Sequence, residues 1–272
     1  MEQDLTFAVQ LAQQVGERLI QKFKQDGLKT RIKADHSLVT EADIAADQMI
    51  ADAVQQQYPG DVLLSEELAP IYHAPASVDQ SAAGKSAHEN VWVVDPIDGT
   101  TNFSKGLHVW GVLIARMRDG WPELGVLYFP LLKELYTAQR DAGAFLNGHP
   151  IHADPAGHDT EESFFACCSR TFRRYKVSVP YKPRILGSTA YSLCCVARGA
   201  ALLAFEATPK IWDIAAGWLL VHEAGGVIET LDGSAPFPIR YEVNYARESF
   251  PTLAGASSEL TQKARSQIVP IR

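Results

Sequence analysis

The chain has 272 residues, of which 46% are hydrophobic and 21% charged, and it is long enough to bury a sizeable core. Its formal net charge of −7 argues against general binding to nucleic-acid phosphates, which depends on Lys and Arg. No apolar run approaches the roughly 20 residues that span a bilayer, and residues 1–10 lack the basic and apolar regions of a signal peptide. We therefore expect a cytoplasmic protein without nucleic-acid or membrane partners.

The first half of the chain predicts two helices followed by several strands. Apolar side chains recur every three or four residues from Leu5 to Phe23, which indicates an amphipathic helix. A second helix is predicted from about Thr40 to the stop at Pro59-Gly60. The Asn147-Gly148 pair predicts a hairpin turn, and the polar segment 70–90 predicts a loop. Apolar runs predict strands at 62–64, 91–94, 109–115, 124–129 and 134–138.

The second half predicts a strand at 163–168 and helices at about 189–198 and 213–224, the last ended by Gly225-Gly226. Strands and helices are mixed without a steady alternation of one strand and one helix. This order favours a layered α+β architecture over a doubly wound parallel sheet.

Residues 91–103, VWVVDPIDGTTNF, place a buried strand directly before a polar cluster. The continuous apolar run predicts a strand covered on both faces, with Asp95 at its carboxyl end. Pro96 is predicted to end the strand, and Asp98-Gly99 to form a tight turn. Thr100 or Thr101 is predicted to cap a following helix, whose free N–H groups suit an anion.

The carboxylates of this segment, together with Glu66-Glu67 after the preceding strand, suggest a site for a hard cation. Oxygen ligands of this kind suit Mg²⁺, and crowded carboxylates need a counter-charge. The alternative is an ordinary turn in which Asp95 and Asp98 accept backbone N–H groups. Spacing alone leaves both interpretations open.

Two further aspartates have equally plain local interpretations. Asp213 precedes a predicted helix, where an N-cap is a favourable role for aspartate. The Thr40-x-x-Asp43 spacing is typical of a capping box. Neither residue indicates a site by itself, so their weight depends on what accompanies them.

Four segments in order resemble the motifs of the inositol monophosphatase family, a group of lithium-sensitive, Mg²⁺-dependent sugar and inositol phosphate phosphatases. Together these segments extend over most of the chain. They are 39–43 (VTEAD), 65–67 (SEE), 95–103 (DPIDGTTNF), and 212–217 (WDIAAG) with 223–226 (EAGG).

The resemblance implies an assignment for each acidic position. Glu66, Asp95 and the backbone carbonyl of Ile97 would hold a first Mg²⁺. A second would be held by Asp95, Asp98 and Asp213, with Glu66 helping a weaker third. The catalytic residues would be Asp43 and Thr100, hydrogen-bonded to each other, with Thr100 orienting and activating the attacking water. The N–H groups of three residues would hold the substrate phosphate: Gly99, Thr100 and Thr101.

The substrate alcohol is implied to contact Glu206 and the segment Gly187, Ser188, Thr189. A carboxylate that accepts polyol hydroxyls discriminates well among substrates, because a missing hydroxyl leaves the carboxylate unpaired. The alternative for Glu206 is a solvated residue at a junction between elements. The basic segment 169–176 either reaches a second phosphate of a bisphosphate or is a solvated loop.

The resemblance further implies one domain over residues 1–272, an αβαβα sandwich of the inositol monophosphatase and fructose-1,6-bisphosphatase type, and a homodimer. The implied activity is Mg²⁺-dependent hydrolysis of a small polyol phosphate, foremost inositol monophosphate. Three other activities stay open: fructose-1,6-bisphosphatase, histidinol-phosphate phosphatase and 3′(2′),5′-bisphosphate nucleotidase. The non-enzymatic alternative is a partner protein in a transcription complex.

Overall fold

The computed structural model describes residues 2–23, 30–32, 38–72, 90–154 and 163–271. Seven helices lie in these ranges: α1 (Glu2–Phe23), α2 (Glu41–Gln57), α3 (Thr100–Ser104), α4 (Thr171–Arg174), α5 (Thr189–Ala197), α6 (Ile211–Glu223) and α7 (Ser258–Gln267). None of these helices is both long and apolar enough to cross a membrane. The periodic pattern of 5–23 and the helix after Thr40 are confirmed.

Most strands of the described ranges belong to two sheets. The larger sheet has the order β10-β9-β8-β7-β6-β5-β3, and only β3 and β5 pair in parallel. The smaller has the order β13-β11-β14-β17-β15. The first nine strands are β1 (Thr30–Ile32), β2 (Leu38–Thr40), β3 (Val62–Ser65), β4 (Ile71–Tyr72), β5 (Val91–Asp98), β6 (Gly111–Arg118), β7 (Trp121–Phe129), β8 (Glu134–Gln139) and β9 (Gly143–Leu146). The others are β10 (His149–Pro150), β11 (Phe164–Cys167), β12 (Tyr175–Val177), β13 (Lys182–Arg184), β14 (Leu203–Glu206), β15 (Val227–Thr230), β16 (Val243–Asn244), β17 (Thr252–Gly255) and β18 (Ile268–Pro270).

The elements stack in five layers. Apolar faces of α1 and α2 cover one face of the larger sheet. The buried helices α5 and α6 fill the space between the larger and the smaller sheet. On the outer face of the smaller sheet, α7 packs against Phe165, Phe205 and Leu253. The predicted α+β sandwich with αβαβα layering is therefore confirmed.

Several boundaries differ from the predicted ones, and three of them concern the candidate site or the loop beside it. The prediction that Pro96 ends its strand is wrong, because β5 continues to Asp98 and accommodates the proline in an irregular stretch between Asp95 and Asp98. The helix expected from Asp213 begins earlier, at Ile211. The predicted loop 70–90 starts with β4, and residues 73–89 lie outside the described residues.

Candidate active site

The irregular end of β5 directs carboxylates into the interior. Along the strand, Val93 packs in the core between the sheets and Val94 packs against α1 and α2. Asp95 follows this alternation toward α6, whereas the shifted register beyond it puts Ile97 into the core on the α2 side. The Ile97 N–H donates to Oδ1 of Asp95 at 3.0 Å. The bulge at Pro96 therefore places the side chains of Asp95 and Ile97 on different faces of the sheet.

Asp213 brings a carboxylate from the first turn of α6. Its predicted N-cap role is wrong, because Lys210 is the N-cap and Asp213 is the third helical residue. Oδ2 of Asp213 accepts the Lys210 N–H at 2.8 Å. The Asp213 carboxyl also lies near that of Asp95, and its charge contributes to the raised pKa of Asp95. The larger sheet and the middle helical layer thus meet at a pair of acids.

Asp98 lies against the N-terminus of α5. Its Oδ1 accepts the Thr189 N–H at 3.1 Å, and its Oδ2 accepts the Ala190 N–H at 3.0 Å and the Ser188 hydroxyl. A carboxylate is favoured there by free N–H groups and by the helix dipole. Ser188, which the resemblance implies as a substrate contact, therefore uses its hydroxyl to bind Asp98. Asp98 does accept backbone N–H groups, although from a helix 90 residues later rather than from its own turn.

Asp43 and Thr100 are brought together as the resemblance implies. Thr100 Oγ1 lies 3.0 Å from Oδ1 of Asp43 and 3.0 Å from the Ile97 carbonyl oxygen. Asp43 also accepts the Thr40 N–H at 2.7 Å, so the predicted capping box exists as well. Neither Thr100 nor Thr101 caps α3, because Gly99 is its N-cap, with a φ of 91°. The capping box holds Asp43 in place for its contact with Thr100.

Glu66 follows the strand next to β5. Because β3 and β5 run parallel with Ser65 opposite Val94, the residues after these two positions, Glu66 and Asp95, emerge side by side. The Glu66 N–H donates to the Val94 carbonyl at 3.3 Å. The charge of Glu66 raises the pKa of Asp95. The carboxyl edge of the larger sheet therefore contributes acids from two adjacent strands.

Burial and mutual repulsion raise the pKa values across this cluster. Burial is the larger cause for Asp95, whose pKa lies well above its ordinary value, and the charges of Glu66, Asp213 and Asp98 add to it. Burial, and then the charge of Glu66, raise the pKa of Asp213 to about 8. For Asp98 and Asp43 burial raises the pKa to about 6, against hydrogen bonds that lower it. The described residues of this cluster therefore carry an excess of negative charge when ionised.

The chemistry of these side chains fits a hard divalent cation. Several buried carboxylates with raised pKa values lie together with a backbone carbonyl, and oxygen atoms of these types are the usual ligands of Mg²⁺. Among the described residues, no three Asp, Glu, His or Cys side chains form a ready-made metal-ligand arrangement. Asp213 lies near Asp95 and binds the Lys210 N–H, and Asp98 turns toward α5. The donor set thus fits Mg²⁺ in composition.

The metal-free protein is expected to lose stability as the pH rises from about 5.5 to 8.5. Asp43, Asp98 and Asp213 have folded-state pKa values of about 6, 6 and 8, against 3.8 for an ordinary aspartate. The folded chain therefore holds protons that the unfolded chain has released. Their contribution is full at low pH and is lost as the pH passes through these raised values.

Thermal unfolding in EDTA measures this effect, and we expect Tm to fall by at least about 3 °C between these pH values. Added Mg²⁺ is expected to raise Tm more at pH 8.5 than at pH 5.5, because the carboxylates are then ionised. A metal-free Tm that rises over this range would contradict the carboxylate crowding.

A cleft of about 660 Å³ extends from the acidic cluster toward the smaller sheet. Its walls contain residues implied to bind the cations and phosphate and also residues implied to contact the substrate alcohol, so the cleft connects these two parts of the predicted site. The predicted site residues in these walls are Asp98, Thr101, Gly187, Ser188, Thr189, Glu206 and Asp213. The basic segment is present through Arg170, whose Nη1 donates to Thr208 Oγ1 at 2.9 Å. The cleft is therefore large enough for a group beyond the phosphate.

Glu206 is buried at the end of β14, only 3% exposed, so its predicted solvated alternative is wrong. Thr189 Oγ1 donates to its Oε2 at 3.4 Å, and the polar side chains of Ser192 and Cys168 lie near enough to lower its pKa. Burial, and then the charge of Asp98, raise its pKa to about 8. A buried carboxyl with adjustable hydroxyl and thiol neighbours is suited to bind polar groups of a ligand.

Sequence reasoning missed Asn102 and Asp47 as parts of this region. Asn102 Nδ2 donates to the Val109 carbonyl at 2.7 Å and to the Leu186 carbonyl at 2.8 Å, which ties together two walls of the cleft. Asp47 is fully buried and accepts N–H groups beside Glu66. Asn102 belongs to the 95–103 motif but had no assigned role, and the spacing of Asp47 one helical turn after Asp43 was the available signal.

Comparisons with known proteins identify the family of this chain. A model described as the inositol monophosphatase family matches residues 1–268. An inositol monophosphatase of Mesembryanthemum crystallinum is 34% identical over 241 residues, covering 82% of this chain and 84% of the relative. A histidinol-phosphatase of Chlorobaculum parvum is 32% identical over 237 residues, covering 83% and 85%. The Nus factor SuhB of Pasteurella multocida is 30% identical over 240 residues, covering 84% and 85%.

A solved structure agrees with these sequence matches. The IMPase of Thermotoga maritima superimposes with a TM-score of 0.75 at 26% sequence identity, covering 98% of each chain. Fold, family model and relatives thus agree over nearly the whole length. The chain therefore belongs to the inositol monophosphatase family, a family of phosphomonoesterases that generally depend on Mg²⁺.

Proposed function

We propose that this protein is a Mg²⁺-dependent phosphatase that hydrolyses the phosphate monoester of a small polyol, with inositol monophosphate as the first candidate. The observation that carries the proposal is the meeting of acidic side chains from β5 and α6 beside the hydrogen bond between Asp43 and Thr100. Acids for cation binding and a hydroxyl for water activation are the two requirements of metal-assisted phosphate hydrolysis.

The cation ligands in this proposal are those that the family resemblance implies. Glu66, Asp95 and the Ile97 carbonyl would hold one Mg²⁺, and Asp95, Asp98 and Asp213 would hold another, with Glu66 helping a weaker third. Mg²⁺ in such a set supplies positive charge that neutralises the phosphate and activates water. The raised pKa values of Asp95 and Asp213 support this set, because they mark a local excess of negative charge.

The chain's own proton acceptor is the Asp43–Thr100 pair. We propose that the attacking water gives a proton to Thr100 Oγ1 while Thr100 passes its own proton to Asp43. A pKa of about 6 leaves Asp43 mostly ionised at neutral pH, so it can take that proton. The water oxygen bonds to phosphorus as the bond from phosphorus to the alcohol oxygen breaks, and the departing alcohol oxygen takes up a proton from solvent. Phosphoryl transfer needs little covalent work from the protein, so this orientation and the N–H groups of Gly99, Thr100 and Thr101 on the phosphate complete the machinery.

Glu206 is proposed to bind the alcohol part of the substrate. Replacing it in the Glu206→Gln variant is expected to lower kcat/KM for inositol monophosphate by about 10- to 100-fold, the effect of mispairing a buried polar contact. Hydrolysis of p-nitrophenyl phosphate, which has no polyol hydroxyls, should change by less than about threefold by the same reasoning. Equal losses on both substrates would contradict a role in alcohol recognition.

The decisive experiment measures phosphate release from four substrates at fixed Mg²⁺: inositol monophosphate, fructose 1,6-bisphosphate, histidinol phosphate and a 3′(2′),5′-bisphosphate nucleotide. We expect the highest kcat/KM for inositol monophosphate, no turnover in EDTA, and inhibition by LiCl, as the family resemblance implies. A higher kcat/KM for a bisphosphate would instead favour a contact to Arg170 in the cleft. No Mg²⁺-dependent turnover on any of the four would refute the proposal.

The relatives named Nus factor SuhB support a second candidate, a partner protein in a transcription complex. The acidic set argues for the enzyme, because a binding module has no use for buried carboxylates that repel one another. We also propose a cytoplasmic homodimer on the family resemblance, and light scattering measures that assembly. These proposals are independent of the substrate panel.

A further inference from the structure

A second buried carboxylate lies one turn after Asp43 on α2. Asp47 is 0% exposed, and its Oδ2 accepts the Glu67 N–H at 3.0 Å and the Leu68 N–H at 3.0 Å. Its other oxygen, Oδ1, is buried without a hydrogen-bond partner among the described residues. A buried carboxylate is costly unless hydrogen-bond donors satisfy it, and here two backbone N–H groups satisfy one of its oxygens. Both partners belong to the segment after β3.

The loop 65–69 is fixed by successive backbone contacts. Glu66 N–H donates to β5 at the Val94 carbonyl, 3.3 Å away. Ser65 N–H donates to the Ala69 carbonyl at 3.0 Å, and Ala69 N–H donates back to Ser65 Oγ at 3.2 Å. Between these contacts, the N–H groups of Glu67 and Leu68 both donate to Oδ2 of Asp47. Asp47 therefore ties the turn that carries Glu66 to α2.

We infer that Asp47 is the positioning residue for Glu66, and that its hold on the loop 65–69 sets the affinity of the cation site. The inference rests on the proposed function, which makes Glu66 a cation ligand. Residues 43 and 47 lie four apart and so share a face of α2. The helix α2 thereby orients both Asp43, the proton acceptor beside Thr100, and the loop that bears the proposed cation ligand Glu66.

Glu223 offers a matched control elsewhere in the fold. At the far end of α6 its Oε1 accepts the Asp141 N–H at 3.0 Å and its Oε2 accepts the Gly143 N–H at 2.9 Å. It too is a little-exposed carboxylate that holds a turn through two backbone N–H groups. It lies roughly 15 Å along the helix from Asp213, at 1.5 Å per residue. Its removal measures how much stability is lost when a carboxylate that binds two backbone N–H groups is removed outside the candidate site.

The experiment compares Asp47→Ala, Asp47→Asn and Glu223→Ala in the full chain. Calorimetric titration with MgCl₂ alone is expected to show an affinity about 10- to 100-fold weaker for Asp47→Ala, the usual effect of removing support from a metal ligand. Asp47→Asn should stay within about threefold of wild type, because its amide oxygen can accept the same two N–H groups. Glu223→Ala should lose stability but keep its Mg²⁺ affinity.

Hydrogen exchange in EDTA supplies a readout without metal. Asp47→Ala is expected to speed exchange in peptides covering 66–69, and Glu223→Ala to speed it in peptides covering 141–143. Half-maximal turnover should need correspondingly more Mg²⁺ in Asp47→Ala, with kcat recovering at saturation. If alanine prevents folding, Asp47→Ser, whose hydroxyl is one atom shorter, replaces it.

Three outcomes separate the hypotheses. Mg²⁺ affinity in Asp47→Ala that equals that of wild type or of Glu223→Ala overturns the inference, whatever the exchange rates. A wild-type protein that binds Mg²⁺ but hydrolyses none of the four substrates overturns the proposed function and leaves the affinity comparison decisive for Asp47. A wild-type protein that binds no Mg²⁺ overturns both.

Discussion

Replacement of Asp95 by asparagine is expected to lower kcat/KM by at least about 100-fold, since Asp95 belongs to both proposed cation sets. The amide keeps the shape of the carboxylate but loses its charge. The same change is expected to raise the Tm of the metal-free protein at pH 8.5, because Glu66, Asp98 and Asp213 then repel one acid fewer. A loss of activity accompanied by a gain in stability separates this effect from simple unfolding.

The control is Asp52→Asn, the same chemical change on an exposed face of α2, where Oδ1 accepts Gln48 Nε2 at 2.8 Å. Its turnover should match that of the wild type. Phosphate release at saturating Mg²⁺ and thermal unfolding in EDTA measure the two effects on each variant. Unchanged Mg²⁺-dependent turnover in Asp95→Asn would show that the proposed site is wrong.

Thr100→Val is expected to lower kcat by about 100- to 10,000-fold, the range for losing a general base that acts through this hydroxyl. Valine has nearly the same shape but removes the Oγ1 that lies 3.0 Å from both Asp43 Oδ1 and the Ile97 carbonyl. KM should change little, because the variant keeps the backbone N–H groups proposed to hold the phosphate. Steady-state kinetics at saturating Mg²⁺ measure both constants.

Three variants make this prediction specific. Thr100→Ser keeps a hydroxyl and should retain most of kcat. Thr6→Val removes a helical hydroxyl that donates to the Glu2 carbonyl at 2.9 Å in α1, and it should have no effect on turnover. Combining Thr100→Val with Asp43→Asn should cost no more than the worse single change, because the two side chains act as a unit. Additive losses would argue against a shared proton path.

The sequence predicted the helices and turns whose apolar spacing, capping residues or turn residues all lie within one short stretch of the chain. The apolar stripe of residues 5–23 and the capping box at Thr40 mark α1 and α2 by themselves. The Asn147-Gly148 turn likewise has positive φ at both residues, as a two-residue hairpin requires. Layering followed from the family motifs, and the described elements confirm it.

Features that depend on distant partners were not predictable in this way. The bulge at Pro96 exists because β6 pairs on both sides of it, and no element was predicted for residues 227–271, where short strands depend on their neighbours. The bond from the Ser188 hydroxyl to Asp98, 90 residues away, was likewise not predictable from any local pattern. Asp47 had no motif, and only the folded loop after β3 reveals its role.

The two sheets carry different parts of the candidate site, so substitutions can accumulate in one sheet independently of the other. The reacting groups lie at the edge of the larger sheet and on α2, whereas Glu206 ends a strand of the smaller sheet. Under the proposed function, substitutions in the smaller sheet would change which alcohol binds while the proposed catalytic residues stay in place. Such modularity makes new specificities accessible through few substitutions, and it is consistent with one scaffold serving relatives named for inositol and histidinol phosphates.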